Sequence, residues 1–600
     1  MANSGRAPGT GTHCLLLTPP GEGHVYDRYL VEILLTEGYN CFEQRVGGAD
    51  LTACSLVIIS AGAAARLSKA TVADYLRGGG HAIIIRPPVA WCDLFGLSAP
   101  GETYALAKDA YLRVNADHPW LAGFPALDLQ VPGEADVYRP GAAEALAFLA
   151  GQPGQAIPSP AVALHRVGEG AAVVFTYDLA DCLVQFHQGR PENASNGPDP
   201  DANRDGKFTP DDLLEGRRDF GLRHVPQADV HQDLLVRAIR GLTADRVPLP
   251  RLWHFPRGAP AALFVNGDGD GMIWEDLQWT VETCARYDAK FTFYLMDEQI
   301  GAFAAGDLAA MRERGHAFGP HPWVSLKPSV EEWRGEVKRI MASFEAKFGF
   351  RPQSVRSHSC IFPGWDETPS LYADCGLRLD TTFISGYRFQ SGYANGSALP
   401  VRFMSRSGEV IDCYEQCTIH GDDVMASTKT LLPAQNEDEC IELSLQVLHE
   451  CATAYHGVYH PYFHPVYLGE RGAIPTRRWF VRVLQAAQRH GMPSVSADEW
   501  LAFNDARRSV VMRDLIWRPE TGELSLKVES GLPVRGLTVL LPPCEGRVPA
   551  SAALDGEPLP VTSVPFEALG WSAVQCDLEA AVPRALSVVY GRRDSLGGEQ

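Results

Sequence analysis

The sequence predicts an α/β protein of several domains: a parallel sheet first, a second β/α section in the middle, and a small antiparallel sandwich last. Three observations carry this. The chain has 600 residues, too many for one hydrophobic core. Its first 245 residues alternate short apolar runs with amphipathic stretches, the β-α-β rhythm of a parallel sheet. Its last stretch, from about residue 508, has short alternating strands separated by turns.

Composition narrows the class. The chain is 45% apolar and 21% charged, which excludes long intrinsic disorder. With 53 basic against 73 acidic residues the net charge is −20, and such a surface repels phosphate backbones and anionic lipid. Neither nucleic acid nor a membrane is expected as a partner; a homo-oligomer is compatible with the sequence. Residues 1–12 are polar and Gly-rich, and the apolar run over 14–18 stops at Pro19-Pro20, too short for a signal segment or a span. The chain therefore reads as cytoplasmic, although a secreted chain trimmed of its signal would look the same. Its 14 cysteines contain no C-x-x-C and are expected as buried free thiols.

In order, the first section predicts a strand at 14–17, a helix at 26–36, a strand at 56–60, a helix at 69–77 and a strand at 82–85 after Gly78-Gly79-Gly80. The succession of strand, helix, SLVIIS, helix and GGGHAIII resembles the class I glutamine amidotransferase-like fold over roughly residues 12–180, which implies a flavodoxin-like parallel sheet. A glutaminase needs a glycine-flanked Cys on a sharp turn. No G-x-C-x-G occurs, and Cys92 and Cys182 read as small buried hydrophobes, so the domain over 1–190 is expected to be non-catalytic.

Residues 191–257 form the next section: a stretch rich in Pro, Asn, Asp and Gly, then a helical run, then VPLPRLWHFPRGAP, whose prolines mark a linker. Within it, residues 201–212 fit the D-x-[DN]-x-[DN]-G calcium loop. The ligands would be Asp201, Asn203, Asp205, the Lys207 carbonyl and Asp212, with Gly206 at the turn and Phe208 at the eighth position. The segment resembles dockerin and EF-hand loops, and a single loop suggests a structural clip. Asp at the twelfth position in place of Glu shortens the reach to the ion.

The section over 258–507 opens with the apolar strand AALFV and carries the richest constellation. After that strand come Asn266-Gly-Asp268-Gly-Asp270, then GHAFGPH ending in His321, then Arg356-Ser357-His358-Ser359-Cys360, and finally HPYFHP with His460 and His464. The order resembles the polysaccharide deacetylase family over about residues 258–505. That resemblance implies a deacetylase-type β/α barrel, an Asp pair acting as general base and metal ligand, a metal histidine, an arginine that orients the base, and a late histidine acting as acid. On this sequence it implies Asp268, Arg356 and His464 as catalytic residues and Asp270 and His321 as metal ligands. The family's second metal histidine is Ser325 here, and R-x-P has become R-x-H, so His358 is inferred to complete the metal site. The strand allows a second register in which Asn266 takes the base position and Asp268 the ligand, and His460 stays an alternative ligand. Trp323, Trp365 and Tyr462 are expected to bind substrate.

The function expected is metal-dependent removal of an acetyl group from an amide nitrogen, with zinc favoured by the mixed His and carboxylate donors. The substrate implied is an N-acetylated sugar or another N-acylated small molecule. A second hypothesis is a non-catalytic carbohydrate-binding or scaffold protein whose deacetylase-like domain has lost base or metal. The section over 508–600 completes the prediction as a β-sandwich.

Overall fold

A computed structural model of the chain describes residues 14–18, 24–46, 50–99, 106–216, 218–385, 389–426, 433–470, 472, 474, 476–564 and 570–592. The polar start at 1–12 and Pro19-Pro20 lie outside these residues. The chain divides into two compact units, one of Met1–Leu183, His231–Gly258 and Asp505–Gln600, the other of Val184–Val230 and Ala259–Asn504. The section over 191–257 is thus shared between them, and the first and last stretches of the chain fall in one unit. No helix among the described residues is long and apolar enough to cross a membrane, and the described cysteines outside β1 are free thiols.

The first unit holds a nine-stranded sheet. Its strands are β1 (Cys14–Thr18), β2 (Phe42–Val46), β3 (Leu56–Ile59), β4 (His81–Ile85), β5 (Leu106–Val114), β6 (Asp128–Asp136), β7 (Glu144–Ala150), β8 (Ala156–Val167) and β9 (Gly170–Phe175). The order is β2-β1-β3-β4-β9-β8-β7-β5-β6, parallel from β2 to β9 and antiparallel from β9 to β6. β1, β3 and β4 correspond to the strands read from the sequence; β2, β9 and the antiparallel half extend the sheet beyond them. β3 is buried along its whole length, as a strand in a sheet covered on both faces must be, and its Leu-Val-Ile-Ile run supplies that. Ser60 and Ser68 start the helices Ala61–Arg66 and Lys69–Arg77 by accepting from the amides of Ala63 and Thr71.

The Pro-rich stretch expected as a linker instead carries β10 (Arg251–Leu252), paired antiparallel to a strand of the C-terminal section. Two antiparallel sheets follow from that section. One joins β10 to Val534–Leu541, Ser572–Leu578 and Thr562–Ser563; the other holds Val510–Arg518, Glu523–Ser530, Arg584–Arg592, Arg547–Leu554 and Glu557–Leu559. In Glu523–Ser530 every second residue is buried, the mark of a strand with one face on a core. The buried guanidinium of Arg507 donates to the carbonyls of Thr36, Leu252 and Trp253 at 2.7–2.9 Å, so one charged side chain ties three distant stretches of this unit.

The second unit is built of parallel strands alternating with helices. Its strands are β11 (Ala262–Phe264), β12 (Asn266–Asp268), β13 (Thr292–Leu295), β14 (Ala317–Pro320), β15 (Ser354–Val355), β16 (Leu379–Asp380), β17 (Val401–Met404), β18 (Val410–Glu415), β19 (His420–Gly421), β20 (Val458–Tyr459), β21 (Pro461–Tyr462) and β22 (Ser494–Val495). They form three ladders, β20-β11-β22, β14-β13-β12-β21-β19 and β15-β16-β18-β17, all parallel except for the β17–β18 pair. The helix Val330–Phe348 shows how the sequence makes its partners. Ser329 and Glu332 form a capping box, Gly349 at φ 73° ends the helix, and Trp333, Val337, Ile340, Met341, Phe344 and Phe348 line the buried face at helical spacing.

Asp380 and Glu415 face each other across β16 and β18, both fully buried. Burial raises both, Asp380 to about 6 and Glu415 well above the carboxylate range, so a proton stays between them. Unfolded carboxylates ionise at about 4, so the stability that the protonated pair provides is complete below that value and falls as pH rises through about 6, where Asp380 ionises, and on toward the higher value of Glu415. Glu415→Gln, which keeps a donor without the charge, is expected to flatten the fall of Tm across that window. Superimposable Tm–pH curves for variant and parent would exclude the effect.

Candidate active site

Four segments of the second unit converge on one cleft. β12 ends in Asp268 and the chain turns to Asp270; β14 runs into His321; β15 runs into Arg356 and His358; β21 runs into His464. Parallel strands deliver their following loops to the same end of a sheet, which is why residues spread over some 200 positions can meet.

Asp270 is at the centre. Its Oδ2 lies 3.4 Å from His321 Nε2 and 3.5 Å from His464 Nε2, and its Oδ1 lies 2.9 Å from His358 Nδ1. Burial alone would push its carboxyl up, but the three histidine rings facing it, His321, His358 and His464, hold it far below the usual range. Asp268 pairs instead with Arg356, Oδ1 to Nε at 2.8 Å. Burial again works against charge, and Arg356, with His321 and His464, keeps Asp268 ionised. Arg356 is itself fully buried, donates to the Thr381 carbonyl and to Thr418 Oγ1, and lies 4.2 Å above the Tyr462 ring, so it cannot swing away.

The donor set fits a divalent cation. Asp270, His321 and His358 each offer one ligand atom, all within 4.8 Å of one another, as do Asp268, Asp270 and His464. His321 donates from Nδ1 to the Arg356 carbonyl at 2.7 Å, which turns a buried, hydrogen-bond-free Nε2 toward the aspartates. The Nδ1 of His358 is likewise buried without a hydrogen bond. His358 is aimed by an unusual turn, in which Ser359 and Cys360 both take left-handed φ, 53° and 56°.

His464 has a partner that sequence reasoning missed. Its Nδ1 donates to Asp422 Oδ1 at 2.7 Å and its backbone amide donates to Asp422 Oδ2 at 2.7 Å. Burial disfavours the imidazolium, but Asp422 and Asp270 outweigh it and raise His464 well above its ordinary value. Asp422 follows β19, outside every segment the spacing had singled out; an acidic pair directly after a strand, in HGDDV, was the available signal.

The two alternatives raised by the sequence lie elsewhere. His460 is fully buried, stacks on Phe264 at 4.4 Å, donates from Nδ1 to the Cys417 carbonyl and accepts at Nε2 from Asn266 Nδ2 at 2.8 Å. Burial, with Arg356 nearby, lowers it to about 3. Both nitrogens are therefore used, and Asn266 faces His460 while Asp268 faces Arg356.

The cleft, ≈ 640 Å³ with its solvent-open part, is lined by Asp268, Asp270, His358, Cys360, Tyr462 and His464, together with Asp205, Lys207 and Asp211 of the 201–212 loop. The expected aromatic contacts divide. Tyr462 lines the cleft and donates to Asp423, and Trp323 stands edge-on to His358 at 4.7 Å. Trp365 is corrected: it is 0% exposed, with its indole N–H on the Gln188 carbonyl, because its loop folds inward against the Val184–Val230 stretch.

The 201–212 loop has the turns expected of it. Asn203 Oδ1 accepts from the Asp205 amide, Asp205 Oδ1 from the Lys207 amide, and Asp212 from the amides of Asn203 and Thr209. Gly206 takes φ 84°, while Asp201 is paired with Lys327 Nζ at 2.5 Å. Among the described residues, the His, Cys, Asp and Glu groups gathered within 4.8 Å do not include this loop.

No protein-family model matches the chain, and no curated protein matches it. Solved structures do. Agd3, described as a novel carbohydrate deacetylase, aligns at 10% identity and TM-score 0.40 over 97% of this chain and 99% of its own. The peptidoglycan deacetylase PdaC of Bacillus subtilis aligns at 12% and 0.26, over 40% of this chain and 90% of its own. The Xyl-CE4 domain of a multidomain xylanase from the hindgut metagenome of Trinervitermes trinervoides aligns at 11% and 0.27, over 40% and 90%.

Proposed function

We propose that the chain is a metal-dependent carbohydrate de-N-acetylase. One observation carries this reading: Asp270 is ringed by three histidine nitrogens while the neighbouring Asp268 is reserved for a buried arginine, in one cleft. That separates the two carboxylates by role. Asp270, His321 and His358 would hold the ion, zinc being favoured by their mixed oxygen and nitrogen donors. Such an ion, when bound, supplies Lewis acidity to the amide carbonyl.

The protein's own groups do the rest. Arg356 fixes Asp268 in its ionised form, and Asp268 takes the proton of the attacking water. His464, held by Asp422 at Nδ1, presents Nε2 to the leaving nitrogen and protonates it, so that water and amide become a carboxylic acid and an amine. Trp323 and Tyr462 would flank the sugar. The acidic lining from Asp205, Asp211 and Asp423 sets the cleft against anionic substrates. The residues given these roles all belong to the second unit.

The test is acetate release by the full chain from a panel of N-acetylated oligosaccharides, with chelator and after zinc return. Zinc-restored release is expected; release indifferent to chelator would overturn the metal assignment, and none across the panel the deacetylase assignment.

The 201–212 loop is proposed as a calcium clip. Calcium is expected to raise the Tm of the parent protein but not of Asp205→Ala, since an ion that binds only the folded state stabilises it by mass action. Asp205 is the better probe than Asp212, which also accepts the Thr209 amide at the start of a helix and would cost stability without any ion. Equal calcium shifts in both proteins would remove the clip.

A further inference from the structure

The N-terminal sheet carries a second cluster that the deacetylase chemistry does not use. In the order β2-β1-β3-β4-β9, the chain passes from β1 outward to β2 and then back past β1 to β3. This reversal point, at the carboxyl ends of β1 and β3, is where open parallel sheets build ligand sites. His24 and Asp27 follow β1, Ser60 follows β3 directly, and Asp178 follows β9.

Asp27 is only 2% exposed. Its Oδ2 accepts from Ser60 Oγ at 2.7 Å and from the Gly62 amide at 2.9 Å, while its Oδ1 is buried with no hydrogen-bond partner. Asp178 spends Oδ1 on the amides of Ala180 and Asp181 at the start of the helix Leu179–Gln188, and turns Oδ2 to His24 Nδ1 at 3.1 Å. The side chain of His24 is 39% exposed, so the cluster is open to solvent on that side. Arg86 is the nearby cation, but its guanidinium pairs with Asp136 and Glu134 at 3.1–3.2 Å.

Two largely buried carboxylates side by side, with one imidazole as their counter-charge, are costly unless a cation completes them. One atom from each of His24, Asp27 and Asp178 lies within 4.8 Å of the others. In each aspartate one oxygen is held by backbone or hydroxyl donors and the other is left for the centre of the cluster, which is how outer hydrogen bonds orient ligating carboxylates.

We propose that His24, Asp27 and Asp178 form a second divalent-metal site, with donors suited to zinc or manganese and an outward face left for water. Its ligands are distinct from those of the deacetylase site, and the proposal stands independently of the function proposed there.

The experiment is equilibrium dialysis of the full chain against zinc, read by elemental analysis, in a His321→Ala background that removes a ligand from the second unit's cluster. In that background one zinc per chain is expected to remain, and Asp27→Asn added to it should abolish that binding. His24→Ala, a change at an exposed residue that leaves the fold intact, should weaken it by roughly tenfold or more. Zinc held equally well in the presence of Asp27→Asn and of His24→Ala would overturn the site, as would no zinc in the His321→Ala protein.

Discussion

Asp268→Asn is expected to lower turnover by roughly 10²–10⁴-fold, the range for loss of a general base, while its metal content stays at the parent level. The substitution is nearly isosteric and keeps an oxygen for Arg356, so packing should survive. It removes only the capacity to accept a proton. Arg356, buried and tied to Thr381 and Thr418, would keep the amide where the carboxylate stood. Activity and metal falling together in this variant would instead put Asp268 among the ligands, the second register that the sequence allowed.

His464→Ala should show a comparable loss of turnover, again with metal retained, because Asp270, His321 and His358 offer a ligand group without it while its Nδ1 is held by Asp422. Asp422→Asn should cost less than His464→Ala and act through it: the imidazole stays, but its Nδ1 loses the carboxylate that favours the charged form. The readout is the pH profile of kcat/KM, whose alkaline limb should move to lower pH in Asp422→Asn. A His464→Ala protein with near-parent turnover would remove it as the acid.

Much of this site could be read from residue types and order, because metal and proton chemistry restricts which side chains serve. The resemblance to polysaccharide deacetylases singled out Asp268, Asp270, His321 and His464, and the departure from its R-x-P pattern singled out His358; the structure brings them together. Asp422 was not singled out, since its link to His464 spans 42 positions and exists only once β19 and β21 lie side by side. Trp365 failed for the opposite reason: an indole suits a sugar face and a core equally well, and only packing decides. The 201–212 loop was read as a unit in itself, yet it also walls the cleft, which no local pattern could have indicated. In the fold, β1, β3 and β4 were legible from their apolar runs, whereas β2, whose FEQRV is largely polar, was not. The joining of 251–252 to the C-terminal strands was not, because a two-residue strand has no periodicity.

The decisive measurement is metal content and acetate release on the same preparations of parent and His358→Ala protein. His358 is the residue on which this chain departs from the familiar deacetylase pattern, and its Nδ1 stands 2.9 Å from Asp270. Loss of one of three ligands should strip the ion from the cleft and abolish release, with the fold kept and partial rescue at high zinc. A His358→Ala protein that holds as much metal as the parent and releases acetate at a near-parent rate would contradict the metal centre proposed here.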